Sequence, residues 1–256
     1  MIDCHLHTSF SPDSDTAPEA LIERAIELGL KYIAVTDHTD INQNWRFDPA
    51  AYFAKLTPLK QKHANKIYVA IGIEAGWTPD SQAEMAGIIN SHPFDYVINS
   101  VHAIKGSECY WRPHFKGRSR ETVYNEYYEA ITDSLDADFR FDTVGHLHYI
   151  MRNAPYPDRI FEYSDFAPVL DKLLGKIISY GKILEYNTND PATFPAVDQI
   201  FARYYTLGGR KVCFSSDAHT ADRVAYGYDR TVKALKGIGF GYWTAVQSGK
   251  HTQIVM

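Results

Sequence analysis

The stretch that decides the fold is Ile2-Asp3-Cys4-His5-Leu6-His7, close to the start of the chain. It has the length of a short β-strand, in which successive side chains point to opposite faces. His5 and His7 therefore share one face, while Cys4 and Leu6 point the other way, into packing. Two imidazoles at this spacing can form half of a metal site, or they can simply form hydrogen bonds. The stretch alone leaves both interpretations open.

Outward from this strand, a unit of strand, loop and helix recurs at intervals of about 30 to 45 residues. The predicted strands are 2–7, 32–36, 67–73, 94–101, 141–145, 182–187 and 211–216. The first predicted helix begins with a capping box at Thr16–Glu19 and ends at Gly29, and the second is broken near Pro58. A third helix lies in the eighties, and a fourth of roughly 17 residues is capped by Ser119. Two more helices are predicted at about 164–180 and 194–207. The last 35 residues or so add a helix and short extended pieces at about 240–246 and 252–255.

Strands that alternate with helices predict a parallel sheet with right-handed crossovers. Seven or eight such units within residues 1–256 favour closure, so we expect a single α/β domain with a distorted (β/α)7 TIM-like barrel. An open, doubly wound sheet is the alternative. It is disfavoured because the Gly-rich phosphate turn that usually follows its first strand is absent.

Composition narrows the class of protein. Of the 256 residues, 45% are hydrophobic and 22% are charged, as in an ordinary globular protein. The net charge is −5 and no stripe of Lys and Arg stands out, which argues against a nucleic-acid partner. No apolar run is long enough to cross a bilayer, and no signal-peptide pattern is visible. The three cysteines lie far apart, so we expect no disulfide framework, no membrane partner and a cytoplasmic location.

Residues of the metal-ligand type recur at or just after the predicted strand ends. They are His5, His7, Asp13, His38, Glu74, His102, His146, Asp217 and His219. Each alone could be a surface histidine, a capping aspartate or an exposed glutamate, but those explanations do not predict the recurrence. In a parallel barrel these ends meet at one face, where active sites are built.

Mixed imidazole and carboxylate ligands suit Zn, Mn or Fe, and the absence of a thiolate cluster argues against a purely structural zinc. Nine ligands exceed the needs of one ion. Two or three divalent metal ions, bridged by Glu74 and a hydroxide, would satisfy them. Clustered cations lower the pKa of bound water and clamp a phosphoryl group during in-line displacement, so hydrolysis of a phosphate ester is the expected reaction.

Six segments resemble motifs of the PHP (polymerase and histidinol phosphatase) superfamily. They are His5-Leu6-His7-Thr8, Thr36-Asp37-His38, Gly72-Ile73-Glu74, Ser100-Val101-His102, Gly145-His146-Leu147 and Ser216-Asp217-Ala218-His219. Nearly the whole chain is most similar to the monofunctional histidinol-phosphate phosphatases of that superfamily, including Ser11–Ser14, the loop after His102 and Gly145–Arg152. The resemblance implies hydrolysis of L-histidinol phosphate to L-histidinol and phosphate, a step of histidine biosynthesis.

The resemblance also implies a trinuclear site. Its ligand sets would be His5, His7, Glu74 and Asp217 for the first metal, Glu74, His102 and His146 for the second, and Asp13, His38 and His219 for the third. The superfamily often has a histidine where Asp13 stands, although aspartate is common in the histidinol phosphatases. His148 stands where an aspartate is expected, which leaves the role of that position open.

Arginines are the expected partners of the phosphate, because a guanidinium can bind two of its oxygens at once. Arg152, in the loop after the fifth predicted strand, is the first candidate, and Arg118 and Arg223 are weaker ones that could equally be solvated charges. The leaving alkoxide must be protonated by a metal-bound water or by one of Asp217 and His219.

Two other functions stay open at this stage. The same chemistry could act on a nucleotide, a sugar phosphate or a phosphotyrosine ester. The chain could also be an accessory module that binds metal without turnover, against which the complete set of ligands argues.

Overall fold

The computed structural model describes residues 1–247 and 249–256, which form twelve strands and eight α-helices. The strands are β1 (Ile2–Leu6), β2 (Tyr32–Val35), β3 (His38–Thr39), β4 (Tyr68–Gly76), β5 (Tyr96–Ser100), β6 (Ala103–Ile104), β7 (Ser107–Glu108), β8 (Thr143–Val144), β9 (Ile183–Asn187), β10 (Val212–Ser215), β11 (Tyr242–Gln247) and β12 (Lys250–Val255). The helices are α1 (Pro18–Glu27), α2 (Pro49–His63), α3 (Gln82–Ser91), α4 (Arg112–Phe115), α5 (Arg120–Ser134), α6 (Ala167–Ser179), α7 (Phe194–Thr206) and α8 (Tyr228–Ile238).

Seven parallel strands form the barrel, in the order β1-β2-β4-β5-β8-β9-β10. The two end strands meet where the amide of His7 donates to the carbonyl of Ala218 at 2.9 Å. Every residue of β1, β2, β5, β9 and β10 is buried, as expected of strands covered on both faces. The predicted distorted (β/α)7 barrel is therefore confirmed, with a seam between β1 and β10.

Two local predictions are wrong. Thr16 and Glu19 form no capping box, because Ala17 is the N-cap of α1 and the Thr16 hydroxyl donates to the carbonyl of His219 at 2.8 Å. Helix α2 is also not broken at Pro58. The Pro58 side chain lies on the exposed face of α2, while the buried Leu56 and Leu59 hold the helix against the core, so a missing backbone donor is tolerated.

The predicted cap of α5 and the predicted end of α1 are confirmed. The Ser119 hydroxyl accepts from the amide of Thr122 at 3.2 Å. Gly29 follows α1 with a φ of 76°, a left-handed conformation that favours glycine. Residues 103–117, which follow β5, contain the β6–β7 hairpin and the short helix α4.

The antiparallel β11–β12 hairpin packs at the end of the barrel where the strands begin. The phenol of Tyr32, the first residue of β2, donates to the carbonyl of Val246 at 3.0 Å. Trp243 is fully buried, with its ring centroid 6.0 Å from those of Phe214 and Tyr228. The carboxyl ends of the strands, at the opposite end, remain available for a site. Within the part of the chain that the structure describes, no helix has the length and apolar character to cross a membrane.

Candidate metal centre

Glu74 lies at the middle of the site and is completely buried. It is inside β4 and not at the end of a strand, because β4 pairs with β5 as far as Gly76 and the short strand β3 also pairs His38 with Glu74. One carboxylate oxygen, Oε1, accepts from the Ser100 hydroxyl at 2.7 Å. Gly145 makes room for that hydroxyl, since a Cβ there would lie 2.3 Å from Ser100 Oγ.

The first group of ligand atoms surrounds the other carboxylate oxygen, Glu74 Oε2. It lies 3.2 Å from His5 Nε2 and 3.6 Å from His7 Nε2. Asp217 Oδ1 lies 3.2 Å from His7 Nε2 and 3.8 Å from His5 Nε2. Ligand atoms around one tetrahedral metal at about 2.1 Å are separated by roughly 3.4 Å. The four side chains therefore have the spacing of a single metal site. Asp217 reaches it from a left-handed backbone conformation with a φ of 53°.

The second group is a triangle around Glu74 Oε1. His146 Nε2 lies 2.9 Å from this oxygen and His102 Nε2 lies 3.2 Å from it. The two imidazole nitrogens are themselves 3.2 Å apart. Three ligand atoms at these separations fit one cation, which would also offset the close approach of two nitrogen lone pairs.

The third group is the most open one. Asp13 Oδ2 lies 3.1 Å from His219 Nε2 and 3.5 Å from His38 Nε2. The other nitrogen of His38 lies 2.8 Å from Glu74 Oε2, so His38 stands between this group and the central carboxylate. The structure thus brings together all nine side chains that the sequence singled out.

The outer nitrogens of four imidazoles are occupied as donors, which leaves Nε2 of each ring to face the site. His5 Nδ1 donates to Glu185 Oε1 at 2.6 Å. His7 Nδ1 lies 3.0 Å from Ser11 Oγ, which must accept because its own proton goes to Asp37. Fixing the outer nitrogen in this way sets the tautomer that a metal-binding histidine needs.

The other two rings are held in the same manner. His102 Nδ1 donates to Asp40 Oδ1 at 2.9 Å, and His219 Nδ1 donates to the carbonyl of Asp217 at 3.0 Å. Asp40 reaches this position because Gly76 lies against it, where a Cβ would be 1.8 Å from Asp40 Oδ1. Glycine at position 76 is therefore required by the close approach of Asp40.

The charges of the site suit a bound cation. Burial disfavours ionisation of Glu74, yet His5 and His38 hold the pKa of this carboxyl well below its ordinary value. Burial and the neighbouring His219 lower the pKa of His7 well below its ordinary value, so its Nε2 lone pair stays free. Among the described residues, the buried atoms of the first group that have no hydrogen-bond partner include His5 Nε2, His7 Nε2 and Glu74 Oε2. Buried polar atoms are rarely left unpaired, and a metal ion between these three would satisfy them.

The sequence prediction missed Glu185 and Asp40, which orient the histidines. Glu185 was a detectable case, because it is a charged residue inside the otherwise buried strand β9 and such residues are almost never buried unpaired. It accepts from His5 and also from the backbone amide of His146. Asp40 follows His38 by two residues, the spacing that places two side chains of an extended segment on one face.

A cleft of 360 Å³ opens beside the three groups of ligands. Arg152 lines it, with Nη2 2.6 Å from Asp217 Oδ2 and its guanidinium 5.2 Å from the ring centre of Tyr149. Arg118 and Arg223 are not among the described residues that line the cleft. Arg118 pairs with Glu126 at 2.5 Å, and the guanidinium of Arg223 lies 3.5 Å from the ring centre of Tyr226.

His148 does not join the three groups of ligands. It is buried, and burial together with the nearby Arg152 lowers the pKa of its imidazole well below the ordinary value. Its Nε2 has no hydrogen-bond partner among the described residues.

Several known proteins are similar to this chain in sequence. A family model described as PHP domain matches residues 3–189. Histidinol-phosphatase from Lactococcus lactis subsp. lactis is 30% identical over 246 residues, which cover 93% of this chain and 91% of that protein. Probable histidinol-phosphatase from Clostridium acetobutylicum is 30% identical over 243 residues, which cover 91% of this chain and 92% of that protein.

A solved structure shares the whole fold. The crystal structure of histidinol phosphate phosphatase from Lactococcus lactis subsp. lactis, in complex with zinc, L-histidinol and phosphate, has a TM-score of 0.91 to this chain. It is 28% identical in sequence, and the match covers 98% of both chains.

Proposed function

The chain belongs to the PHP domain family, and on that premise we propose that it is a metal-dependent phosphomonoesterase that hydrolyses L-histidinol phosphate to L-histidinol and inorganic phosphate. The observation that carries the proposal is the convergence of six imidazoles and three carboxylates around Glu74 beside an open cleft. The zinc, L-histidinol and phosphate in the similar Lactococcus lactis structure support this choice of substrate. We also propose that its partner is the small-molecule substrate, that residues 1–256 form one domain and that the protein is located in the cytoplasm.

Two or three divalent ions, of Zn, Mn or Fe, would be held by the three groups of ligand atoms. His5, His7 and Asp217 would hold the first with Glu74 Oε2, and His102 and His146 would hold the second with Glu74 Oε1. His38, His219 and Asp13 would hold the third. Bound there, the metals would lower the pKa of water and stabilise the charge that develops on the phosphoryl oxygens.

Arg152 is the residue of this chain that we assign to the phosphate. Its guanidinium lines the cleft, and its Nε has no partner within the described residues. The ion pair with Asp217 and the ring of Tyr149 hold the side chain in place before substrate arrives. An arginine fixed in this way loses little side-chain entropy when it binds a phosphate oxygen. Arg118 is committed to Glu126, and we assign it a structural role.

The leaving alkoxide needs a proton, and the two side chains predicted for that step are unequal. Burial opposes ionisation of Asp217, but His5 and Arg152 hold the pKa of its carboxyl well below the ordinary value, so it carries no proton to give. His219 lines the cleft, but its Nδ1–H donates to a carbonyl and its Nε2 faces Asp13. Because Nε2 cannot bind a metal and a proton together, we assign His219 to the third metal and protonation to water in the cleft.

A substrate panel with metal quantification tests the proposal. The purified protein, loaded with Mn or with Zn, is assayed for phosphate release from L-histidinol phosphate, AMP and an aryl phosphate. We expect release from histidinol phosphate to be faster by orders of magnitude. Equal rates on all three would refute the assignment of substrate and leave a general phosphoesterase. Stoichiometric metal with no release from any ester would instead support an accessory metal-binding module.

A further inference from the structure

Part of the metal cleft is lined by two segments that contribute none of the nine proposed metal ligands. Gln43 and Trp45 come from residues 40–45, which follow β3, and Tyr110 follows the β6–β7 hairpin. Backbone hydrogen bonds of 2.9 and 3.0 Å between Asp40 and Trp45 close the first segment into a loop. These side chains hold neither the metals nor the phosphate in the proposed function, so they are available to the rest of the substrate.

The buried carboxylate of Glu108 joins the two segments. Glu108 lies in β7, shortly before Tyr110, and is only 7% exposed. Its Oε2 accepts from Gln43 Nε2 at 2.6 Å, and its Oε1 accepts from Asn42 Nδ2 at 3.3 Å. One carboxylate therefore holds two consecutive side chains of the loop against the hairpin.

The charge of Glu108 is not balanced by a cation of the protein. Its carboxylate forms no ion pair within residues 1–247 and 249–256, and a glutamate is rarely buried without one. Burial, together with the nearby Asp40, raises the pKa of this carboxyl to about 7. A positive charge nearby would be favoured, and the substrate of the proposed reaction carries an ammonium group.

The side-chain amide of Gln43 links Glu108 to the cleft. An amide has a donor end and an acceptor end, so fixing its nitrogen on Glu108 also fixes the direction of its oxygen. Gln43 Oε1 accepts from no group in the described part of the chain, and it is not one of the buried unpaired atoms there. Gln43 thus offers the cleft a hydrogen-bond acceptor of fixed orientation.

We propose that Glu108 is a positioning residue that sets substrate specificity, because it orients Gln43 to accept a hydrogen bond from the ammonium group of the substrate. The substrate meant here is the L-histidinol phosphate of the proposed function, on which this assignment rests. A carboxylate that accepts from the amide nitrogen polarises the amide and makes its oxygen a stronger acceptor. Glu108 is not among the described residues that line the cleft, so it acts through Gln43.

Binding of L-histidinol tests the role of the ammonium. The metal-loaded protein is titrated by calorimetry with inorganic phosphate present, because phosphate is expected to occupy the metals. The matched control ligand is imidazolylpropanol, which lacks only the amino group of L-histidinol. We expect Glu108→Ala and Gln43→Ala each to weaken the binding of L-histidinol roughly ten-fold, and to change that of imidazolylpropanol by less than about two-fold.

A double-variant cycle tests the positioning role. Because Glu108 acts through Gln43, the Glu108→Ala/Gln43→Ala protein should bind L-histidinol no more weakly than Gln43→Ala alone, whereas two independent defects would add. Glu108→Gln keeps an accepting oxygen but loses the charge, so it should recover part of the affinity that Glu108→Ala loses. Ser107→Ala, on the same hairpin, is the matched control and should bind normally.

Metal content and circular dichroism should be unchanged in every variant. Additive losses in the double variant, equal losses for the two ligands, wild-type affinity in Glu108→Ala, or no saturable binding of L-histidinol to the wild type would overturn the proposal. Loss of metal from Glu108→Ala would also overturn it, since the effect would then lie at the metal centre. None of these results depends on turnover, so a failure here is distinct from a failure of the proposed phosphatase activity.

Discussion

Replacement of Glu185 by Gln tests whether the site depends on a residue that is not itself a proposed metal ligand. Glu185 is 2% exposed and accepts from His5 Nδ1 through one oxygen and from the His146 amide through the other. Glutamine keeps the shape but has one accepting oxygen, so one of the two donors must face an NH2 group. A hydrogen bond to a charged group contributes about 1.5–3 kcal/mol. Loss of such an outer partner typically weakens metal binding 10- to 100-fold, or by about 1.4–2.7 kcal/mol.

We therefore expect Glu185→Gln to lower the affinity of the first metal site 10- to 100-fold, measured by competition with a chelator and by elemental analysis after dialysis. The kcat/KM for the phosphate ester should fall with metal occupancy and recover in part at high metal concentration. Glu23→Gln, an exposed change on α1, is the matched control. If Glu185→Gln bound metal with the wild-type affinity, the reasoning that the outer carboxylate orients His5 would be refuted.

Three further substitutions test the site, and one tests the fold. We expect Glu74→Ala to remove more than one equivalent of metal by elemental analysis, and unchanged metal content would contradict the bridging role. Gly76→Ala should destabilise the protein by about 1–3 kcal/mol in chemical denaturation, because its Cβ would lie 1.8 Å from Asp40 Oδ1; a neutral effect would mean that Asp40 moves freely. Arg152→Ala should raise KM for the ester more than ten-fold with the metal content retained, and an unchanged KM would exclude it from phosphate binding. Ser119→Ala should lower the unfolding free energy by about 1 kcal/mol and leave activity unchanged, since it removes only a helix cap.

The sequence was sufficient for the architecture and for the convergence of the ligands, for one physical reason. Parallel strands that are buried on both faces are continuous apolar runs, and a polar residue directly after such a run stands at the mouth of the barrel. His102 and His146 follow β5 and β8 in this way. The same rule places Asp217 and His219 after β10, so closure of the barrel brings them to His5 and His7.

Other features depend on contacts that no local pattern contains. Thr16 and Glu19 have the spacing of a capping box, but the carbonyl of His219, 203 residues away, binds the Thr16 hydroxyl. Pro58 is tolerated because that part of α2 is anchored by tertiary packing, which outweighs a local helix breaker. Strand β4 continues through Glu74 to Gly76 because it pairs there with β5 and with the two-residue strand β3, and the local sequence around Glu74 does not show these pairings.

The seam between β1 and β10 also determines when the protein can finish folding. Asp3 accepts from the amide and the hydroxyl of Ser216, 213 residues further along the chain. At a synthesis rate of 5–20 residues per second, the first strand waits roughly 10 to 40 s on the ribosome for its last neighbour. During that interval a strand edge and the His5–His7 pair stay open to solvent, to other nascent chains and to any metal the cell supplies. We expect the newborn chain to benefit from a chaperone that shields its amino-terminal strand, a requirement that circular permutation between Thr16 and Pro18 would change.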